Sequence, residues 1–236
     1  MRVLRIVAEG DVTSFRYPYF MVGVQPTYEM PPPATIYGHV CSALGEWLDP
    51  EGVQFAYHFT YKTRFVDLEH THLVKASRGK MPDSNHAKAL EGKINPLQRE
   101  LLFKPRLVLY LNRPEWKDNF ASPRYAVVLG RSQDLFTYTS IEVIELEQRQ
   151  EAYLEHTIAP IDMAARTPRG VVTLMPRFIS YQQHRFPTFE RYVVLTRRVR
   201  TQELLRSPQE SLTFWTDPSA PKVNGLQLGL LFHRWV

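Results

Sequence analysis

The sequence predicts an α+β fold in which a ferredoxin-like βαββαβ domain precedes a β-rich C-terminal subdomain. Strand and helix patterns alternate along the first 146 residues, helical signals become sparse after residue 150, and a basic polar segment interrupts the first part. We therefore predict one domain over residues 1–148, with an inserted thumb hairpin at about 75–100, and the β-rich subdomain over residues 149–236.

The first elements follow from periodicity. Residues 2–8 alternate apolar and polar side chains, which predicts a strand. Three consecutive prolines at 31–33 enforce an extended chain and are well tolerated at a helix start. Apolar residues then recur at helical spacing, which predicts the first helix over Ala34–Leu48, and the breaker residues of Asp49–Gly52 end it.

The remaining elements follow from short runs bounded by turn residues. Glu115–Phe120 predicts a short helix and Arg106–Leu111 a buried strand. Further strands of the first part are predicted within Phe55–Val74, at Ala126–Gly130 and at Ile141–Leu146. In the last third, strands are predicted at Val171–Met175, Tyr192–Val199, Leu212–Trp215 and Leu226–Phe232. The order of the first part is the one shared by RNA-recognition modules, so the prediction is RRM-like.

Positive charge is concentrated in two segments. The net charge is +5 at pH 7 and the isoelectric point is about 9.3. Residues 75–106 carry eight Lys or Arg against three acidic residues, and residues 166–200 carry eight arginines against Glu190, which leaves the rest of the chain at −7. The planar guanidinium of arginine can donate two hydrogen bonds to one phosphate and can stack on bases. The arginine bias of the second segment therefore favours a polyanionic partner over a surface that is only solvated.

Composition predicts a cytoplasmic protein. The single cysteine, Cys41, cannot form an internal disulfide, which suits a reducing compartment. The N-terminal residues lack the apolar block of a signal peptide, and the sequence has no apolar run of about 18 residues that would span a membrane. We therefore predict no membrane association.

No catalytic, metal-binding or cofactor motif is recognised, and we predict no cofactor and no metal. His70 and His72 would share one strand face, but no third ligand adjoins them. Cys41 lies on the apolar face of the first predicted helix, as expected of a small core residue. His156 and His184 are the candidate acids or bases for RNA cleavage.

An aromatic run with one cation begins at Ser14. Rings can stack on unpaired bases and Arg16 can pair with phosphate, although Phe15 and Phe20 fit a core role. The two basic segments supply the salt-dependent attraction to a phosphate backbone. In the basic loop 76–80, backbone N–H groups beside Gly79 can also bind phosphate. These features favour RNA or single-stranded nucleic acid over an enzyme pocket.

Two stretches of the first part carry recognisable motifs. The first runs from Ser14-Phe15-Arg16 through the Pro-Pro-Pro segment and Gly38 to Ala43-Leu44-Gly45-Glu46, and the second is Val128-Leu129-Gly130-Arg131-Ser132-Gln133-Asp134-Leu135. Together they resemble the motifs of the Cas-five family of CRISPR proteins. Gln133 stands where that family usually has an acidic residue. The resemblance covers roughly residues 1–146, and the C-terminal third has no matching motif.

The resemblance implies a non-catalytic type I subunit, of the I-B kind, that caps the 5′ handle of the guide RNA. It implies a ferredoxin-like fold with a thumb hairpin, and the basic insertion lies where such a hairpin would fall. It also implies that Pro31–Pro33 and Gly38 shape the first helix. The implied partners are the crRNA, Cas-seven backbone subunits and the large Cascade subunit, and contact with target DNA near the PAM is left open. The predicted RNA-binding residues are Arg16, Tyr17, Tyr37, Lys75, Arg78, Lys80, Lys88, Lys93, Arg131, Ser132, Arg166, Arg169, Arg177 and Arg185.

Two alternatives remain open on the sequence. One family branch, of type I-C, cleaves precursor RNA with a Tyr, Lys and His set, for which Tyr37 and Tyr61-Lys62 supply matching types. The adjacent Lys-His pair of that branch has no counterpart here, which favours the non-catalytic interpretation. The other alternative is an unrelated globular protein whose basic surface serves solubility.

Overall fold

The protein was analysed as a computed structural model that describes residues 1–20, 23–88, 90–167, 169–205 and 212–236. Its two helices within these ranges are α1 (Pro33–Leu44) and α2 (Lys117–Ala121). The strands, in chain order, are β1 (Arg2–Gly10), β2 (Val12–Thr13), β3 (Val24–Gln25), β4 (Phe55–Thr60), β5 (Thr63–Ala76), β6 (Leu90–Phe103), β7 (Arg106–Leu111), β8 (Phe136–Glu145), β9 (Glu147–Arg149), β10 (Tyr153–Leu154), β11 (Thr157–Pro160), β12 (Val171–Ser180), β13 (Phe186–Leu195), β14 (Val199–Arg200), β15 (Phe214–Thr216) and β16 (Gly229–Leu230). The predicted α+β class is confirmed. Among the described residues, no helix is long and apolar enough to cross a membrane.

A four-stranded antiparallel sheet of order β4-β7-β1-β8 lies at the centre of the N-terminal part. Strand β1 occupies an interior position, with Ile6 opposite Leu109 of β7 on one side and Ile141 of β8 on the other. Together with α1 and α2, these strands follow one another as β1-α1-β4-β7-α2-β8. This order is compatible with the predicted ferredoxin-like arrangement.

The inner face of this sheet packs against α1 and forms the largest buried cluster. Leu4 and Ile6 of β1 lie in it with Ile36 and Val40 of α1. Residues of the C-terminal third also enter this cluster, and the indole Nε1 of Trp235 donates a hydrogen bond to the backbone oxygen of Pro33 at 2.8 Å. The last residues of the chain are therefore fixed at the beginning of α1.

The outer face of the same sheet is covered by the C-terminal segment. Val7 and Tyr110 of this face belong to a buried cluster with Leu228 and Leu230. The buried carboxylate of Asp217 accepts hydrogen bonds from the guanidinium of Arg5 at 2.8 Å and from the hydroxyl of Tyr110 at 3.1 Å. This is the face on which RNA-recognition modules stack bases, and here protein occupies it.

Helix α1 begins at Pro33, one residue before the predicted start, and ends earlier than predicted. Gly45 caps it in the left-handed region with φ of 85°, and its N–H bonds to the oxygen of Cys41 at 2.8 Å. The apolar residues that extended the predicted helix to Leu48 lie beyond this cap. Leu48 lies in the loop that follows this cap, and its side chain is buried. Its backbone oxygen accepts a hydrogen bond from the hydroxyl of Tyr37.

Strands β5 and β6 form a long hairpin, named the thumb hairpin from here on, with Thr63 opposite Phe103 and Ala76 opposite Leu90. The hairpin thus begins earlier than the basic insertion predicted at about 75–100. Most side chains of β5 are exposed, because the hairpin projects from the body. Its strands therefore lack the alternation of apolar and polar residues that identifies a half-buried strand in a sequence. Its base joins the body where β2 pairs with β6.

The predicted strand at Ala126–Gly130 is absent from this part of the structure. Only an isolated bridge joins Val128 to Leu135, because Gly130, with φ of 103°, turns the chain. The strand predicted at Arg106–Leu111 coincides with β7, and the other predicted helix and strands correspond to elements with shifted ends. In the C-terminal third, β12 and β13 form a second hairpin, in the sheet order β11-β13-β12.

Candidate nucleic-acid interface

A cleft of about 730 Å³ opens beside the N-terminal half of α1. Its walls come from the loop after β2, from α1, from the loop 128–131 and from the β12–β13 hairpin. The charged side chains that line it are all arginines: Arg16, Arg99, Arg131 and Arg185. No carboxylate is among the described lining residues, and Glu69 and Asp134 neighbour the cleft as partners of Arg99 and Arg131. Four arginines against these two carboxylates leave the cleft positive, as expected of an anion-binding site.

The two sequence motifs meet at this cleft. Ser14 to Arg16 of the first motif and Gly130-Arg131 of the second both line it. The hydroxyl of Thr13 donates to the oxygen of Leu129, and the backbone N–H of Ser14 donates to Asp134 Oδ2 at 3.2 Å. Residues more than a hundred positions apart are therefore held together by direct hydrogen bonds.

Gly130 permits this approach. A Cβ on Gly130 would lie 2.4 Å from Thr13 Oγ1 and 2.8 Å from the backbone oxygen of Ser14. Its φ of 103° is also one that side-chain-bearing residues rarely adopt. Gly130 therefore serves both the turn and the contact between the two motifs.

Arg131 is engaged by two carboxylates. Its guanidinium donates to Asp134, with 2.8 Å between Nη2 and Oδ1, and also to Glu69 on the thumb hairpin. Arg99 donates to the other oxygen of Glu69 at 2.6 Å. The geometry makes Arg131 a connector between the loop 128–134 and the hairpin, and its predicted RNA contact stays a prediction.

His39 lies beneath the cleft and positions the same loop. Its Nδ1–H donates to the oxygen of Val128 at 2.8 Å, which leaves Nε2 to accept from the hydroxyl of Tyr138 at 3.1 Å. Burial lowers the pKa of His39 below its ordinary value, so the ring is neutral near pH 7. The only sequence signal for this role is a polar residue within an apolar helical pattern.

Aromatic rings flank the cleft in two layers. Phe15 is buried against Phe59, with ring centroids 5.3 Å apart, as its core role predicts. Phe20 is instead about half exposed, which contradicts the core role considered for it. Tyr19 is exposed and lies 5.8 Å from Phe189, a lining residue of the cleft, so two rings stand at the rim where a base could stack.

Two further residues that were predicted to bind RNA, Tyr17 and Tyr37, pack against other parts of the protein. Tyr17 stacks on Tyr28 at 3.7 Å and is half-buried. Tyr37 is buried, its hydroxyl donates to the oxygen of Leu48 at 2.7 Å, and burial raises its pKa well above the usual range. Neither ring lines the cleft.

The predicted RNA-binding lysines of the first basic segment lie apart from the cleft, toward the tip of the thumb hairpin. Lys75, Lys88 and Lys93 line a shallow depression of about 590 Å³ there. The backbone N–H of Lys88 bonds to the oxygen of Gly79 at 2.9 Å, which shapes the tip that also carries Arg78 and Lys80. The hairpin thus presents a second positive surface.

The arginines predicted in the second basic segment are dispersed, and among those predicted only Arg185 lines the cleft. Arg177 pairs with Glu190 at 3.3 Å. Arg169 donates to the backbone oxygen of Arg198 at 3.2 Å. Arg166 ends a 3-10 turn and its oxygen accepts from the N–H of Leu205. Ser132, from the second motif, is exposed on the turn after Gly130.

The candidate catalytic residues occupy different neighbourhoods. His156 lies 5.4 Å from His58 and 3.9 Å from the carboxylate of Glu155, whereas His184 is in the exposed turn of the β12–β13 hairpin. His70 and His72 are neighbours on the thumb hairpin with ring centroids 6.4 Å apart. In the described parts of the chain, no group of three or more His, Cys, Asp or Glu is placed to hold a metal ion.

Comparison with known proteins shows a likeness of fold. A chain from a structure described as a CRISPR RNA-guided surveillance complex matches with a TM-score of 0.54 and 14% identity, covering 89% of this chain and 95% of that chain. A CRISPR protein from Archaeoglobus fulgidus has a TM-score of 0.46, 10% identity and 99% coverage of both chains. A chain of the type III-B Cmr-beta bound to cognate target RNA and AMPPnP has a TM-score of 0.44, 12% identity and 86% coverage of both chains. By sequence, no protein-family model and no curated protein matches.

Proposed function

We propose that this chain is an RNA-binding subunit of a CRISPR effector complex. One observation carries the proposal: the two family-like motifs meet at a cleft whose charged lining consists of arginines. The likeness of fold to a chain of a CRISPR RNA-guided surveillance complex supports it. We propose further that the chain is a Cas-five-like member of a type I complex, of the I-B kind, in the cytoplasm.

The ligand that fits the cleft best is a single-stranded RNA end, which we propose is the 5′ handle of the guide. Arg16 and Arg185 supply cationic groups for phosphates, while Tyr19 and Phe189 supply rings for unpaired bases. The outer sheet face is covered around Tyr110, so it offers no stacking platform. Sequence reading of the target would then be left to base pairing by the guide.

The thumb hairpin extends the positive surface away from the body. We propose that its lysines contact the phosphate backbone and that the subunit adjoins Cas-seven-type backbone subunits and the large subunit. The same surface is the candidate for contact with target DNA near the PAM. Exposed apolar side chains on the hairpin, among them Leu68, Val74 and Ile94, are consistent with a surface that is covered in an assembly.

We propose that the subunit does not cleave RNA. The hydroxyl of Tyr37 is buried and bonded to Leu48, and the described contacts of His156 and His184 lie in different neighbourhoods. A metal-independent nuclease would need its acid and base within hydrogen-bond reach of one reacting atom.

The test is one incubation with a repeat-containing RNA in EDTA, resolved on a native and a denaturing gel. We expect a shifted but intact RNA, with preference for a free 5′ handle. Discrete cleavage within the repeat would contradict the non-catalytic assignment, and would be followed by substitution of Tyr37, His156 and His184. Weak binding without preference for the handle would favour an unrelated basic protein.

A further inference from the structure

A second surface of the protein carries exposed aromatic rings and the opposite charge. Trp47, in the loop after α1, is 50% exposed and stacks on Tyr181 of the β12–β13 turn, with centroids 4.8 Å apart and 17° between the planes. Tyr181 and Tyr125 are each 59% exposed. Large flat rings left this open are among the residues that contribute most to protein interfaces.

Trp47 separates two shallow pockets. One, of about 410 Å³, is lined by Tyr37, Trp47, Asp49 and Tyr181, and the other, of about 310 Å³, by Glu46, Trp47 and Tyr125. The three exposed aromatic rings, of Trp47, Tyr125 and Tyr181, thus stand around adjoining depressions. We name this surface, defined by Glu46, Trp47, Asp49, Tyr125 and Tyr181, the aromatic face.

The charge of the aromatic face is opposite to that of the cleft. Asp49 is the charged residue among the described lining of the larger pocket, and Glu46 is its counterpart in the smaller one. Both carboxylates are exposed. These carboxylates would repel the phosphates of an RNA backbone. A lysine or arginine side chain could instead pair with a carboxylate and pack on the face of a ring.

The face already contains one contact of this kind. The guanidinium of Arg124 lies 5.9 Å from the centroid of the Tyr125 ring. Arg124 also packs against Gly45, where an added Cβ would lie 2.5 Å from its Cγ. Glu46 and Tyr125 both line the smaller pocket, so it presents a carboxylate and ring surface together, and both can bind a guanidinium.

We propose that the aromatic face docks a protein partner through a segment bearing arginine or lysine beside apolar side chains. Trp47 is the central contact, Tyr125 and Tyr181 flank it, and Glu46 and Asp49 pair with the cations of the partner. Gly38 lines both the cleft and the smaller pocket, but the residues that define the aromatic face do not line the cleft. We therefore expect RNA and the partner segment to bind at the same time.

The test uses the full chain and two fluorescein-labelled capped pentapeptides, one alternating arginine with leucine and the other glutamate with leucine. Binding is followed by fluorescence anisotropy. We expect saturable binding of the basic peptide only, weakened about tenfold in Trp47→Ala, because hot-spot rings dominate such contacts. The paired variant Glu46→Gln with Asp49→Asn should weaken it about fivefold.

The matched control is Glu151→Gln with Glu203→Gln, which removes two exposed carboxylates outside the aromatic face. It should leave the peptide affinity unchanged, and Trp47→Ala should leave RNA affinity unchanged. Absence of binding by the basic peptide, or an equal loss in the control pair, would overturn the proposal. Competition of the peptide by RNA, together with loss of RNA affinity in Trp47→Ala, would also overturn it, because the face would then bind nucleic acid.

Discussion

Single residues set the geometry of the cleft through two kinds of constraint. Gly130 allows the backbones of the two motifs to approach, and Asp134 holds both with one buried carboxylate. Because Asp134 also pairs with Arg131, loss of that arginine would leave a buried charge uncompensated. A defect in RNA binding by an Arg131 variant must therefore be separated from a defect in folding.

Substituting Gly130 should destabilise the fold more than an equivalent glycine elsewhere. Gly130→Ala combines a left-handed φ with overlap on Thr13 and Ser14, and we expect a loss of about 3 kcal/mol in the free energy of unfolding, measured in urea. Gly225→Ala, with φ of 78° and nothing within 4 Å of the new Cβ, should cost about 1 kcal/mol. Equal losses would show that the contact between the motifs is not tightly packed.

At the scale of elements, the thumb hairpin combines a positive surface with a fixed attachment. The chain of charges from Arg99 through Glu69 to Arg131 joins it to the loop 128–134. Its tip, by contrast, has mostly exposed side chains and few buried ones. The hairpin base therefore belongs to the cleft, while the tip is placed to reach a ligand that extends beyond it.

Removing cations at the tip should reduce the salt dependence of RNA binding. For Arg78→Ala with Lys80→Ala, we expect the slope of log affinity against log salt to flatten by about 1.4, because each lost contact to a single strand removes about 0.7. The pair Arg2→Ala with Lys117→Ala removes the same charge outside the hairpin and the cleft. An unchanged slope in the hairpin variant would show that the tip does not contact phosphate.

At the scale of the whole molecule, the C-terminal third completes the core and closes the sheet. Trp235 packs at the start of α1, and His233 is fully enclosed with its Nε2–H donating to the oxygen of Ile158 at 3.0 Å. His58, on β4, is partly buried beside His156 and near the cations Arg106 and Arg198. Buried neutral histidines of this kind couple the stability of the whole chain to pH.

Stability should fall as the pH is lowered through the window set by these histidines. Burial lowers the pKa of His58 to about 4 and that of His233 to about 4, below the value of about 6.5 in an unfolded chain. The unfolded state then binds more protons between these values, so stability is complete above about pH 6.5 and is lost toward about pH 4. We expect each group to cost about 2 kcal/mol at about pH 5.

Urea unfolding at about pH 7.5 and about pH 5 measures this effect. His58→Gln should reduce the difference between the two conditions by about 2 kcal/mol. The exposed His70→Gln serves as the matched substitution on the hairpin. If the unfolding free energy of His58→Gln changed between the two pH values as much as that of the unmodified protein, His58 would not be the group that resists protonation.

Local patterns were sufficient to predict the α+β class and most elements, but not how distant segments combine. The proline run and Gly45 fix α1 by backbone conformation, although apolar residues up to Leu48 suggested a longer helix. The strand predicted at Ala126–Gly130 does not form because Gly130 turns the chain, close to Thr13 and Ser14. Such contacts have no local sequence signal.

The candidate site was predictable only in part for the same reason. Arg16, Arg131 and Arg185 were named from charge and motif, and all three line the cleft. Arg99 and Glu69 join that site through strand register in a hairpin that sequence periodicity does not reveal. Tyr37 is one of the apolar positions at helical spacing in α1, and its burial agrees with that pattern.

The most direct test of the central claim is the affinity of a 5′-handle RNA for a variant of the cleft. Arg16→Ala with Arg185→Ala removes two of the four lining arginines, and we expect about a tenfold or greater loss at fixed salt. The control pair Arg2→Ala with Lys117→Ala should lose much less. Equal affinities of the cleft variant and the control would contradict the claim that RNA binds in this cleft.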